Sequence, residues 1–544
     1  MDTYSMSFGS GFGKNTSRIS QDLKASRFFS AIMGDPGQLT EANDLVSRLG
    51  KRRTKAREHK PRIAIVGAGL AGLRCAGILL ERDEFEVTLI EGRDRIGGRV
   101  HQIKLPGSDH VVDCGPNWIH GTEDNPILDI AASAQIPLSR WDENTYIYDE
   151  DGGLLAQSDS DIYSTMMWDI VQDAFAYSSK NSPNISVEAS LWDFFCEQVK
   201  KRIPDTKPDF ERKRNFILQM AEMWGAFVGS PVYTQSLKFF WLEECIEGEN
   251  LFCAGTYQKI LQIIAQPALD NAKIMYSTVV SKVKTTDDKG SKLTLTTTGG
   301  ETLQFDEVVF TAPLGWLKKH PQAFSPALPK EMTQSINSIG YGCLEKVYIS
   351  FPQAYWLKPD SRGRVVTGFC QWLSPKYPSD TNPEKWNQEV VELGSLPEGT
   401  GHPTLLFYTY GDQSRYITEQ VAKLGSKEKQ NTFLDDFFRP YYSRLPHYDA
   451  SSPDCQPLCF FATNWVHDEL AGCGSYCNFQ VGLEQGDKDI ATMRQGLPER
   501  GLWFAGEHTA PYVALGTATG AYWSGESVGH RIKATYGFKN KEEA

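Results

Sequence analysis

No apolar run in the 544-residue sequence is long enough to cross a bilayer, which takes about 20 consecutive apolar residues in a helix. The first residues lack the basic, apolar, then small-residue order of a secretory signal. The closing Lys541-Glu542-Glu543-Ala544 is not a peroxisomal address. Cysteine pairing finds no framework either, because the eleven cysteines are odd in number and scattered from Cys75 to Cys477. These absences predict reduced thiols and a cytoplasmic protein with no membrane partner, in which the sequons at Asn15 and Asn184 stay idle. A surplus of basic residues is also missing. The net charge of -12 argues against nucleic acid as the main partner, since phosphate-binding surfaces carry excess Lys and Arg, and it is compatible with a cationic substrate. No G-x-S-x-G elbow or H-E-x-x-H helix suggests hydrolysis, and no repeat of solenoid or propeller period is visible. Cys455, Cys459, Cys473 and Cys477 are not spaced as zinc ligands, so no metal is expected.

The length exceeds what one hydrophobic core sustains, so two joined domains are expected behind an N-terminal extension. The 12% aromatic content suggests an extensive core or a ring-lined cavity. Residues 1–58 are polar, with one short helix over Asp22–Met33 and a basic run from Lys51 to Arg57 that reads as a linker or a nuclear signal. Residues 59–120, 265–320 and 460–535 are assigned to one domain, 121–264 and 321–459 to a second, and 536–544 to a tail. Arg62–Val66 has the pattern of a buried strand, Leu70–Leu80 that of a helix, and Glu86–Ile90 that of a second strand, which together make a β-α-β unit. Strands return at Lys273–Thr285 and Leu293–Thr298 as a hairpin-like insertion before Asp306–Thr311. Alternation at Lys346–Phe351 and Thr404–Tyr410 predicts an antiparallel sheet between about 320 and 460.

Gly67, Gly69 and Gly72 form G-x-G-x-x-G between that strand and helix, and Glu91 ends the second strand 19 residues later. The first glycine permits a tight turn, the second lets backbone N–H groups approach a pyrophosphate, and the third lets the helix lie close to the sheet. Leu70 and Ala71 open the helix, whose N-terminus favours phosphate. Glu91 is placed to accept the adenosine ribose hydroxyls, and its charge repels the extra phosphate of NADP. NAD and FAD remain.

Gly92-Arg93-Asp94-Arg95-Ile96-Gly97-Gly98-Arg99 resembles the stretch that follows the second strand in glutathione-reductase-like flavoproteins, particularly the flavin amine oxidases. The resemblance continues over residues 60–535. It runs through Asp113-Cys114-Gly115-Pro116-Asn117-Trp118-Ile119-His120-Gly121, the turn Thr311-Ala312-Pro313-Leu314-Gly315-Trp316-Leu317, and Glu345-Lys346-Val347. It ends with Asn464-Trp465, Gly474-Ser475-Tyr476, Phe504-Ala505-Gly506-Glu507 and Gly516-Thr517-Ala518. It implies an α/β, Rossmann-type FAD-binding domain of discontinuous segments, interleaved with an α+β substrate domain that carries the antiparallel sheet. Gly92, Arg93, Gly98 and Arg99 would reach the flavin side of FAD, Gly115 to Trp118 would face it, and Val280 would meet the adenine. Thr311, Pro313, Trp465, Gly506, Glu507, Gly516, Thr517 and Ala518 complete the implied cofactor set. Lys346, His120 and Tyr476 are the implied catalytic residues, with His120, Tyr476 and Thr517 lining the substrate.

Two departures qualify the likeness. Ser475 stands where monoamine oxidases attach FAD through cysteine, which predicts non-covalent FAD, and Thr517 stands where many relatives place a second aromatic ring. The implied reaction is hydride loss from the α-carbon of an amine, polyamine-type favoured, with O2 as the second substrate. Two alternatives remain open: an L-amino-acid oxidase or biosynthetic desaturase, which would need an arginine such as Arg364 or Arg415 in the cavity, and a chromatin-associated flavoprotein. Glu123 and Asp124 are candidates for a polycation entrance. Oligomeric state is not readable from the sequence.

Overall fold

Arg62–Val66 is buried on both faces because its alternate residues serve two cores. Ile63 and Ile65 pack with the helices Leu70–Leu79, Gln258–Asn271 and Ala518–Tyr536, while Ala64 and Val66 join an apolar cluster on the opposite side. That double burial is the mark of a parallel sheet covered by other layers. The computed structural model describes residues 60–140, 145–285, 292–359, 363, 365–397 and 399–538. The predicted extension over 1–58, its helix and basic run, and Arg364 lie outside the described residues.

The parallel sheet has the order Leu502–Phe504, Glu307–Phe310, Arg62–Val66, Glu86–Ile90, Lys273–Met275. Its strands therefore come from widely separated stretches of sequence. A smaller sheet of Thr302–Phe305, Leu293–Thr297, Val280–Lys284 and Phe324–Ser325 covers its other face. The predicted strand Lys273–Thr285 is thus two strands: Lys273–Met275 closes the edge of the parallel sheet, and Val280–Lys284 belongs to the covering one. The chain changes layer at Ser277, which holds φ at 49°, and periodicity carries no signal for such a switch.

Close helix packing follows from small residues. A Cβ on Gly525 of the last helix would overlap the Ala71 carbonyl oxygen, and one on Gly72 would overlap that of Gly67. The bare Gly525 lets the last helix lie against Leu70–Leu79, and the bare Gly72 lets Leu70–Leu79 lie against its own strand and turn.

The second large sheet has the order Cys459–Ala462, Leu344–Ser350, Thr404–Tyr410, Gln388–Glu392, Phe369–Trp372, Thr145–Tyr148. Every pair is antiparallel except the last, because Thr145–Tyr148 enters alongside Phe369–Trp372 in parallel. The strands between 344 and 462 are thus antiparallel as expected, and the parallel edge strand comes from outside that stretch. One face, with Val347, Ile349, Leu405, Phe407 and Val390, packs with Phe437, Phe438 and Tyr441 of the helix Lys427–Tyr442. The other face carries Tyr348, Leu406, Val391, Phe369 and Tyr408 against Phe252, and it is this face that meets the cavity. Helices Gln157–Asn181, Leu191–Arg202 and Phe210–Glu222 form a separate aromatic-rich cluster beside it. Among the described residues no helix is long and apolar enough to cross a membrane.

Candidate active site

A cavity of about 340 Å³ lies between the two large sheets. One wall is mostly backbone, contributed by Gly69, Leu70, Ala71, Gly97, Arg99, Gly506, Glu507, Gly516 and Ala518. A Cβ placed on Gly69 would meet nothing nearer than the Gly97 carbonyl oxygen at 4.0 Å, so open space faces that turn. The helix Leu70–Leu79 has no side-chain cap, which leaves first-turn N–H groups for a pyrophosphate. These features fit FAD. Behind this wall, Gly67 turns with φ of 106° beneath the Thr311 hydroxyl, which donates to the Val66 carbonyl oxygen at 2.9 Å.

Two charged residues tie the wall together. Arg99 donates to Glu507 Oε1 at 3.0 Å and to the Ser475 carbonyl oxygen at 2.6 Å, while Glu507 Oε2 accepts from Cys477 N at 3.3 Å. Burial raises the Glu507 carboxyl, but the Arg99 guanidinium and His508 outweigh it and hold it below its ordinary value. Glu91 accepts from Ala68 N at 2.7 Å and Arg93 N at 2.8 Å, so it fixes the turns on either side of it. Arg93 departs from expectation, because its guanidinium grips both oxygens of Asp468 at 2.9 Å and does not line the cavity. Gly67, Gly72, Glu91, Gly92, Gly98, Val280 and Pro313 also do not line the cavity.

Lys346 sits where the two walls meet. It is buried, and Nζ donates to the Asp113 carbonyl oxygen at 3.3 Å, to the Gly115 carbonyl oxygen and to Asn117 Oδ1. Burial pushes its ammonium below the usual lysine range, offset by the neighbouring Asp113 carboxyl, which burial in turn raises. Three acceptors around one nitrogen favour the charged amine, since a neutral one would aim a lone pair at oxygen. Asn117 also accepts from Tyr408 at 3.1 Å and donates to Tyr348 at 3.3 Å. Trp465 donates to the Cys114 carbonyl oxygen at 3.1 Å. Its turn is pinned by buried Glu345, which accepts from Val466 N at 2.8 Å.

The second wall is made of side chains. Trp168, Trp224, Phe227, Phe369, Tyr408 and Tyr476 supply rings, and Glu243, Glu249 and Glu389 supply carboxylates. Trp224 stacks on Phe227 at 5.2 Å. Tyr476 is fixed by donating to the Phe227 carbonyl oxygen at 2.6 Å. His120 lines the cavity; burial lowers its pKa against a hydrogen bond with Asn250, so the ring is neutral at pH 7. Thr517 also lines it, but its hydroxyl caps the last helix, accepting from Gly520 N at 2.9 Å and donating to the Ala514 carbonyl oxygen at 2.7 Å. Burial raises the Glu243 carboxyl to about 8 and the Glu389 carboxyl to about 7.

The cavity thus gathers Gly69, Leu70, Ala71, Arg99, Gly115, Pro116, Asn117, Trp118, His120, Thr311, Lys346, Trp465, Tyr476, Gly506, Glu507, Gly516, Thr517 and Ala518 of the predicted set. Sequence reading missed Glu243, Glu389, Tyr408, Trp224 and Phe227. The aromatic richness of 125–265 was a signal for the last two, whereas nothing in the sequence marks Glu389. Glu123 and Asp124 do not line the cavity. Arg415 pairs with Asp412 at 2.8 Å and does not line it either.

Comparison with known proteins agrees with this geometry. The family model for flavin containing amine oxidoreductases matches residues 70–532. The chain belongs to that family. It is 25% identical over 503 residues to polyamine oxidase 2 of Arabidopsis thaliana, covering 89% of this chain and 91% of that one. It is 26% identical over 476 residues to lysine-specific histone demethylase 1 homolog 2 of the same plant, covering 85% of this chain but 57% of the relative. A solved structure of a putrescine oxidase redesigned in cofactor binding superposes with a TM-score of 0.62 at 16% identity, over 87% of this chain and 99% of that chain. The fold is that of a flavin amine oxidase, and its cofactor is FAD.

Proposed function

We propose that this oxidoreductase oxidises small amines of polyamine type, with O2 as the electron acceptor. The observation that carries the reading is one cavity joining a glycine-rich backbone wall to a wall of rings and carboxylates, with Lys346 buried at the seam. Bound FAD supplies the redox chemistry, accepting hydride from the amine α-carbon and passing the electrons to O2 as peroxide. The chain's own residues bind and orient. Tyr476 and Phe227 offer ring faces for the substrate's alkyl chain.

His120, whose ring burial keeps in its neutral form, can hold the free amine, the form that can give up hydride, by a hydrogen bond. Lys346 Nζ, held at the seam by its three acceptors, places a fixed positive charge beside the reacting centre, and the aromatic wall keeps water out. The imine product hydrolyses to a carbonyl compound and an amine. Ser475, and a Cys477 thiol that burial raises and so keeps protonated and unreactive, support non-covalent FAD. Acid precipitation that left the flavin on the protein would contradict this.

Among the described residues the arginines lining the cavity are Arg99, held by Glu507, and Arg140, held by Glu249 at 2.7 Å. Both are already neutralised, which favours an amine over an amino acid. Peroxide release across spermine, spermidine, their acetyl forms, monoamines and amino acids tests the reading. Turnover of amino acids alone would replace it.

A further inference from the structure

The register of the second sheet lines up four polar residues from four adjacent strands. Lys346 pairs with Tyr408, Tyr408 with Glu389, and Glu389 with Gln371. Directly paired residues project from the same face, and the first three of the row line the cavity. The next row on that face, Tyr348, Leu406, Val391 and Phe369, is almost wholly apolar. The polar row is therefore a local exception within a hydrophobic surface.

Glu389 is 4% exposed, and its sole hydrogen-bond partner among the described residues is Gln371, whose Nε2 donates to Oε2 at 2.8 Å. No lysine or arginine pairs with it among the described residues. The Gln371 carbonyl oxygen is buried and unpartnered beside it. Two buried acceptors without a cation, one of them on the cavity wall, disfavour folding unless a ligand uses them. Burial raises the Glu389 carboxyl, as expected of a carboxylate that lacks its counter-ion.

Strands lie about 4.8 Å apart, so Glu389 is roughly 10 Å along the row from Lys346, with the Tyr408 ring between them. Resting on the amine oxidase reading above, we infer that Glu389, supported by Gln371, recognises a second cationic nitrogen of the substrate and so selects diamines and longer polyamines over monoamines. The reacting carbon lies at the Lys346 end, the alkyl chain crosses Tyr408, and the distal ammonium meets Glu389. No new bond forms in this step. The residue sets specificity and takes no part in the oxidation.

The test compares straight-chain monoamines, diamines of increasing length and polyamines on the wild-type and E389Q holoenzymes, with peroxide release as the readout. Losing a charged hydrogen bond should raise KM for long diamines about tenfold to a hundredfold, with kcat within about twofold and monoamine KM unchanged. E389D keeps the charge one methylene further back and should move the preferred diamine to a longer chain; it also serves if E389Q does not fold. An equal KM change for monoamines and diamines, or none for diamines, overturns the inference. Wild-type enzyme that oxidises monoamines but no diamine overturns this inference and the polyamine-type preference, and leaves amine oxidation itself standing. Enzyme that oxidises no amine overturns both.

Discussion

Glu507 on the cofactor wall and Glu389 on the substrate wall are each 4% exposed, yet their carboxyls shift in opposite directions. Glu507 has Arg99 against it and stays ionised, whereas Glu389 has only the neutral Gln371 amide and is pushed up to about 7. Burial alone does not set the state of a carboxylate; the partner does. The cofactor wall is electrostatically complete within the chain. The substrate wall is left short of positive charge, as suits a site whose cation arrives with the ligand.

Lys346, at the seam, should show the largest effect of any single change. Replacing it by Met is expected to slow flavin reduction by about a hundredfold to ten-thousandfold while FAD stays bound, as read by anaerobic rapid mixing; unchanged reduction would remove it from the mechanism. Glu507→Leu breaks a buried pair and strands Arg99, so it should cost about 3–5 kcal/mol and lower the FAD content of the purified protein. That cost should shrink as pH falls, since a carboxyl held below its ordinary value stabilises the fold above that value and loses the contribution on protonation.

Glu389→Gln should do the reverse. A carboxyl raised from 4.5 to about 7 favours the fold in its neutral form, a contribution fully present below pH 4.5 and lost as pH rises through about 7. The variant should therefore be more stable than wild type above pH 7, by up to about 3 kcal/mol, with the gap closing towards pH 4.5 in denaturant titrations. Variants of Glu507 and Glu389 with the same sign of pH dependence would break the contrast between the walls. The smallest effect belongs to Thr517→Ala, which removes a helix cap at a cost of about 1 kcal/mol and should leave KM for amines nearly unchanged. A large rise in KM would show that Thr517 contacts substrate as the missing ring would.

Legibility followed the same division. The first turn of the glycine wall was readable because its shape is set locally: Gly67, Gly69 and Gly72 fall within six residues, and the spacing itself states the geometry. The Arg93–Asp468 pair was not legible because its partners are 375 residues apart, and charge pairing over that separation leaves no local mark. The layer change at Ser277 was lost for a related reason, since period-2 alternation runs on through a strand break. Thr517 was recognised as a departure from the aromatic pair, but its capping bond to Gly520 explains what the threonine does there.

The sequence by itself determined the β-α-β unit, the FAD-binding turn and the family, because these rest on residues close together in the chain or on motifs that keep their own spacing. Tertiary structure alone decided which carboxylates face the cavity. Glu389 gains its place from the register of four strands drawn from residues 344 to 410. In a sheet a shift of one residue turns every side chain to the other face, so only the folded pairing determines whether that carboxylate meets the substrate or the opposite core.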